Sequence, residues 1–76
     1  MRLAEYLEMT NETQPAFGKR LGVTQSAVAQ WIAGQVGPLR VLKVAEATGW
    51  RVRPHDLRPD LYPHPEDGMP KERAAA

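Results

Sequence analysis

Two short segments of helical periodicity, residues 14–21 and 24–33, are separated by only Gly22 and Val23. Helices joined by so short a turn cross at roughly 90–120°, and their backbones come close together. The middle of the first helix must therefore carry a small side chain, and Gly18 stands there. Because Gly22 tolerates a positive φ, we interpret it as the turn residue. Val23 is apolar, and we expect its side chain to pack into the core. The spacing predicts a helix-turn-helix.

Capping residues delimit the predicted helices. Thr13 and Thr24 suit N-cap positions, and Pro15 suits a first turn because its missing N–H would be unpaired there anyway. Gly34 marks the next helix end. We predict helices over residues 2–9, 14–21 and 24–33. A fourth helix is predicted from Gly37-Pro38 to Thr48, supported by the apolar residues Leu39, Leu42, Val44 and Ala45. After it we predict a short extended piece at Trp50 and Val52, and then one helical turn from Pro54 to Leu57.

The chain has the length of one domain and no cysteine. Its 76 residues, 42% of them hydrophobic and 25% charged, suit one compact domain that is stabilised by packing alone. No apolar run is long enough to cross a bilayer and no signal-peptide pattern follows Met1, so we expect a cytoplasmic, nucleoid-associated protein without membrane contact. Prolines and glycine recur after Tyr62, which predicts a domain over residues 1–62 and a flexible tail over residues 63–76.

The formal net charge is only +1, but the charges are unevenly distributed. Between Glu12 and Glu46 the chain has no acidic residue. The cations in this interval are Lys19, Arg20, Arg40 and Lys43. A locally positive surface in a nearly neutral chain is typical of a surface that contacts phosphates.

The outward face of the second helix of this motif carries only small or amide side chains. Its residues are Thr24, Gln25, Ser26, Ala29 and Gln30. A face without carboxylates fits into a groove of DNA, and its amides offer hydrogen bonds to base edges. The residues therefore predict a DNA-binding surface.

Residues 14–34 resemble the helix-turn-helix of the phage Cro and lambda-repressor superfamily, including glutamine at the first position of each of its two helices. The wider layout, with Glu46-Ala-Thr-Gly49 and Leu57-Arg-Pro-Asp60, is similar to the small YdaS-like, Cro-like regulators of prophages. The resemblance covers about residues 1–62. It implies an all-α, four- to five-helix lambda-repressor-like domain with a central helix-turn-helix. It also implies a sequence-specific regulator that binds double-stranded DNA and represses its own gene.

The resemblance further implies roles for single residues. Gln14 is expected to clamp a phosphate, and Gln25 to make a bidentate contact with N6 and N7 of an adenine. Thr24 is expected to cap the recognition helix and to touch the DNA backbone. The other base-reading residues are Ser26, Ala29 and Gln30. The further phosphate contacts, predicted from charge rather than from the resemblance, are Lys19, Arg40 and Lys43.

One module of this size buries too little DNA to select a site alone, which favours a homodimer. We expect it on an approximately palindromic operator, with the two recognition helices about 34 Å apart. The predicted interface residues are Trp50, Val52, Leu57 and Leu61. Trp50 fits a cap on the core as well as a dimer contact. Trp31 is expected in the core, because it lies on the inward side of its helix together with Val28.

A second class of function stays open. An antitoxin-like or adaptor module would use the same helices, or the proline-rich tail, to bind a toxin-like protein. Enzymatic and metal-binding functions are not indicated, and we expect no cofactor. His55 and His64 stand in a proline-rich region without a set of metal ligands. Asp56 is expected near a helix start, and Asp60 in a pair with Arg58 or in a turn.

Overall fold

Residues 1–70, which the computed structural model describes, form five α-helices and one 3₁₀ turn, with no strand among them. In chain order the elements are α1 (Leu3–Thr10), α2 (Gln14–Leu21), α3 (Gln25–Ala33), the 3₁₀ turn Pro38–Arg40, α4 (Val41–Ala47) and α5 (Pro54–Leu57). The predicted all-α class is therefore confirmed. No helix within residues 1–70 has the length and apolar character to span a membrane.

The first two helices end at residues that adopt the left-handed conformation. α2 spans the predicted residues: Thr13 accepts a hydrogen bond from the Ala16 amide at 3.2 Å, and Gly22 ends the helix with φ 72°. α1 begins and ends one residue later than predicted. Asn11, with φ 56°, ends it, and the Asn11 amide donates to the Glu8 carbonyl at 3.2 Å. Asparagine tolerates this conformation better than most residues, which explains the later end of α1.

The predicted fourth helix begins as a 3₁₀ turn and is α-helical only from Val41. Pro38 stands at the first position of the turn, and the Arg40 amide donates to the Gly37 carbonyl at 2.9 Å. Tight turns of this kind are frequent at the beginning of α-helices. α4 ends at Ala47, one residue before the predicted end, and Thr48 is its C-cap.

The core lies where the inner faces of the helices meet. Phe17 has no solvent exposure, and Tyr6 packs edge-on against its ring with 6.2 Å between centroids. The other hydrophobic residues with no exposure are Val28, Val41, Val44, Ala45 and Val52. Half-buried side chains around this cluster complete it: Leu21, Val23, Trp31, Ile32, Ala47, Leu57 and Tyr62.

A tight turn replaces the extended piece predicted after α4. Gly49 and Trp50 have φ of 66° and 65°, and the Trp50 amide donates to the Ala45 carbonyl at 2.9 Å. The Thr48 hydroxyl holds the turn, because it donates to the Ala45 carbonyl at 2.7 Å and accepts from the Val52 amide at 3.1 Å. The reversal brings Val52 into the core instead of leaving it along an exposed strand.

The segment after Tyr62 forms turns where the sequence predicts a flexible tail. The His64 amide donates to Asp67 Oδ2 at 3.0 Å, and Gly68 follows with φ 76°. A Cβ atom on Gly68 would lie 2.8 Å from Cε1 of Tyr62, so the segment packs directly on that ring. Residues 71–76 of the predicted tail lie outside the described residues.

Candidate nucleic-acid interface

The backbones of α2 and the following turn meet at Gly18. A Cβ atom there would lie 2.8 Å from the Val23 carbonyl oxygen and 3.2 Å from that of Thr24. The Val23 amide donates to the Gly18 carbonyl at 2.9 Å, and Gly22 has φ 72°. The roles predicted for Gly18 and Gly22 are confirmed, and they set how α3 leaves the turn.

The beginning of α3 is capped by a threonine side chain. Thr24 has extended backbone, with φ −79° and ψ 161°, and its hydroxyl oxygen accepts from the Ala27 amide at 3.1 Å. The capping role predicted for Thr24 is confirmed. The first turn of α3 contains no acidic side chain, so the positive end of its dipole is not neutralised by a carboxylate on that turn.

The base-reading residues predicted on α3 lie mostly on its solvent side. Gln25, Ser26 and Gln30 are exposed, whereas Ala29 is half-buried. On the opposite side Val28 has no exposure, and Trp31 packs half-buried against the core, as predicted. α3 therefore separates an apolar inner side from an outer side of amide and hydroxyl groups.

Gln14, the predicted phosphate clamp, is half-buried at the first position of α2. It lines an open groove of about 520 Å³ together with Glu8, Glu12 and residues of α1 and α3. Two carboxylates beside Gln14 are an unfavourable setting for a phosphate, but Glu12 is already paired with a cation, Arg20.

The three cations predicted to contact phosphates are all exposed: Lys19, Arg40 and Lys43. They do not share one environment. Lys43 lines a groove of about 400 Å³ between the end of α2 and α4, opposite Arg20 and beside Glu46. The carboxylate of Glu46 makes this groove less favourable for a phosphate.

Arg20 belongs to the same cationic interval, but its guanidinium is engaged within the chain. Its Nε donates to Glu12 at 2.7 Å and its Nη2 at 2.9 Å, and its Cζ lies 5.3 Å from the centroid of the Phe17 ring. The hydrogen bond with Glu12 raises the pKa of Arg20 further above its usual value. Arg20 thus links α2 to the end of the α1–α2 connection. Neither helical spacing nor charge counting reveals this pair, because its partners lie on different elements.

The predicted dimer residues are not presented together on one surface. Val52 has no solvent exposure, so its predicted contact with a second copy is wrong: it is a core residue. Leu57 is half-buried against the core, and Trp50 is also half-buried. Leu61 is 45% exposed. Other exposed apolar side chains, which the sequence pattern did not predict, include Leu39, at 98%, and Leu42, at 46%.

The Leu-Arg-Pro-Asp string forms a link between distant parts of the chain. Arg58 donates from Nη1 to the Val36 carbonyl at 2.9 Å, and from Nε and Nη2 to the Asp60 carboxylate at 2.9 and 2.7 Å. These hydrogen bonds lower the pKa of Asp60. The predicted pair is confirmed, and its contact with Val36 ties the C-terminal segment to the loop after α3.

Of the polar side chains that invited a catalytic or metal interpretation, all but His64 have structural partners within residues 1–70. The Asp56 carboxylate accepts from the Arg53 amide at 3.0 Å, at the start of α5 as predicted, and from the amino group of Met1 at 2.9 Å. His55 Nδ1 lies 2.8 Å from the Tyr62 carbonyl, and we assign it as the donor because a carbonyl only accepts. His64 is exposed.

Comparison with known proteins gives one match. The family model described as bacterial toxin YdaS matches residues 8–66. No curated protein and no solved structure matches the chain. The matched stretch contains the helix-turn-helix, α4, α5 and the link between Arg58 and Asp60. Because the match extends over well more than half of the 76 residues, the chain belongs to the YdaS toxin family.

Proposed function

We propose that the chain is a sequence-specific regulator that binds double-stranded DNA and inserts α3 into the major groove. The observation that carries this proposal is the outer side of α3, which is exposed, free of carboxylates and begins with a capped, unneutralised N-terminus. An α-helix fits the width of the major groove, where each base pair presents a distinct pattern of donors and acceptors.

Base reading is assigned to the first turns of α3. Gln25 and Gln30 each offer a donor and an acceptor on one amide, which suits N6 and N7 of adenine, and Ser26 adds a hydroxyl. The half-buried Ala29 leaves room for the groove wall between them. The Thr24 hydroxyl accepts from the helix and keeps its own proton for a phosphate oxygen.

Backbone contacts are assigned to Gln14, Lys19 and Arg40. These contacts would supply affinity and orientation rather than sequence choice. Arg20 is excluded because its guanidinium is held by Glu12 and Phe17. The small size of the domain favours a dimer on two half-sites, with the recognition helices about 34 Å apart on one side of the duplex.

Selection of bound sequences from a random pool of duplex DNA tests this proposal. The wild type should enrich one motif, and Gln25→Ala should relax its preference at one position. A good bidentate contact is worth roughly 1–3 kcal/mol, so discrimination there should fall by about 5- to 150-fold. The control is Met9→Ala, which changes an exposed residue of α1 and should leave the motif unchanged. Failure of the wild type to enrich any motif at moderate salt contradicts the proposal.

A second candidate function is suggested by the family description, which names a toxin. Such an activity would act through a protein partner or through DNA. Induced expression of the wild type and of Gln25→Ala in bacterial cells separates the two targets. If both proteins arrest growth, the toxic activity acts through a protein partner. If only the wild type arrests growth, the activity acts through DNA. Salt dependence of the isolated interaction gives an independent answer, because phosphate contacts weaken steeply as salt rises.

A further inference from the structure

α4 and the turn before it carry apolar side chains on two sides. On the inner side, Val41, Val44 and Ala45 have no solvent exposure. On the outer side, Leu39 is 98% exposed and Leu42 46% exposed. A helix that faces the core on one side and solvent on the other needs only one apolar side. The leucines therefore form a second apolar surface that nothing within residues 1–70 covers.

Two opposite charges stand beside these leucines. Lys43 and Glu46 are exposed, and both line the groove of about 400 Å³ whose walls include Leu21 and Ala47. Arg20 also lines this groove, but its guanidinium is paired with Glu12. Leu21 and Ala47 are half-buried, so the groove has an apolar base with charges at its rim. We call Leu39, Leu42, Lys43, Glu46 and Ala47 together the α4 face.

The order of side chains along the α4 face is self-complementary. Lys43 and Glu46 lie at equal distances on either side of the point midway between Val44 and Ala45. If two copies of α4 pack antiparallel about a two-fold axis through that point, Lys43 of each copy stands level with Glu46 of the other. Leu42 then lies level with Ala47 of the other copy, while Leu39 lies level with a point beyond the end of the other α4.

We propose that the α4 face is the surface through which two copies of this chain associate. A second copy in this arrangement brings each charge of the face against its opposite and Leu42 against Ala47. A phosphate backbone would meet Glu46, and an oppositely charged partner would meet either Lys43 or Glu46 with like charge. The inference deepens the proposed function, which rests on paired half-sites, and it moves the dimer contact away from Val52. It also assigns Lys43 to association instead of phosphate binding.

Charge-swap variants test the pairing by solution mass in the absence of DNA. Lys43→Glu alone and Glu46→Lys alone each place like charges opposite one another, so the dimer dissociation constant should rise roughly tenfold or more. An equimolar mixture of the two variants restores both pairs and should associate as a heterodimer. The double variant K43E/E46K should associate as the wild type does. An ion pair within one chain cannot be rescued by mixing, so the mixture separates association from simple destabilisation.

Apolar variants provide the second arm. Leu42→Ser and Leu39→Ser should weaken association, whereas Met9→Ser, at a 56% exposed position of α1, should not. Leu61→Ser tests the C-terminal surface, and loss of association in that variant alone overturns the proposal. A wild type that remains monomeric at millimolar concentration, or single charge variants with wild-type mass, also overturn it. Because no DNA is present in these measurements, failure of the proposed association is distinguishable from failure of the proposed sequence selection. Circular dichroism verifies that each variant is folded.

Discussion

At Gly18, α2 and the turn after it approach so closely that a hydrogen atom is the only side chain that fits. The obstacle to a Cβ atom is backbone, namely the carbonyls of Val23 and Thr24, and not the movable end of a side chain. A substitution at this position must therefore displace the start of α3. The same contact that allows the compact motif makes it sensitive to one methyl group.

Gly18→Ala should destabilise the fold even though alanine is the better helix former. Alanine gains about 1 kcal/mol of helix propensity, but forced overpacking against backbone costs typically 1–3 kcal/mol, and we expect the overpacking to dominate. Chemical unfolding should show a lower midpoint. Gly37→Ala is the matched control, because Gly37 has φ −61° and no atom within 4 Å of a Cβ there. Equal midpoints for the two variants would contradict the close approach.

α2 carries two neighbouring cations with different surroundings. Lys19 is exposed and makes no ion pair within residues 1–70, while Arg20 is held in a bidentate pair by Glu12 and lies over Phe17. The helix thus presents one cation for an external anion and uses the next to fix its own position against the α1–α2 connection. The composition of the sequence does not distinguish these two cations.

Lys19→Gln and Arg20→Gln should therefore have different effects. Loss of one phosphate contact lowers the slope of log affinity against log salt by about one, and we expect this for Lys19→Gln with little change in thermal stability. Arg20→Gln should lower the thermal midpoint and leave the salt slope nearly unchanged. Titration of each variant with its selected DNA at several salt concentrations, together with thermal melts, provides both measurements. A reversed pattern would show that the ion pair opens when DNA binds.

Across the whole molecule, the link from Arg58 to Asp60 and Val36 joins parts of the chain that are far apart in sequence. Arg58 is well covered and Asp60 about half exposed, so the pair is partly screened by solvent. Its hydrogen bond to the Val36 carbonyl satisfies a backbone acceptor in the loop that follows α3. This link gives a structural reason for the Leu-Arg-Pro-Asp string.

The pH dependence of stability should reflect this link. The ordinary aspartate pKa is 3.8, and the hydrogen bonds from Arg58 lower that of Asp60 in the folded chain. A lowered pKa stabilises the fold at pH values above 3.8, and that contribution is lost as the pH falls through the lowered pKa. In thermal melts, the midpoint of unfolding of Asp60→Asn should therefore be lower than that of the wild type at pH 5 to 7. The difference between the two midpoints should shrink toward pH 2. Glu66→Gln, at an exposed carboxylate of the same region, is the control, and a pH-independent difference would contradict the assignment.

Most helix bounds and the helix-turn-helix itself were predictable, because the signals are local. Thr13 and Thr24 each cap a helix through an amide three residues on, and Gly22 provides the positive φ where the chain must turn. The exposed outer side of α3 also follows from helical period, once the inward position of Val28 is known. These features depend on hydrogen bonds and spacing within a few residues, so no knowledge of the rest of the fold is needed.

Other features depended on how the helices pack. The pairing of Arg20 with Glu12, the burial of Val52 and the outward exposure of Leu39 each involve residues on different elements. The turn with positive φ at Trp50 is likewise held by Thr48 and by the core position of the chain that follows. A periodic pattern states which residues share a side of a helix, but only the packing of the helices decides which of two apolar sides is buried. For this chain that choice leaves the α4 face in solvent.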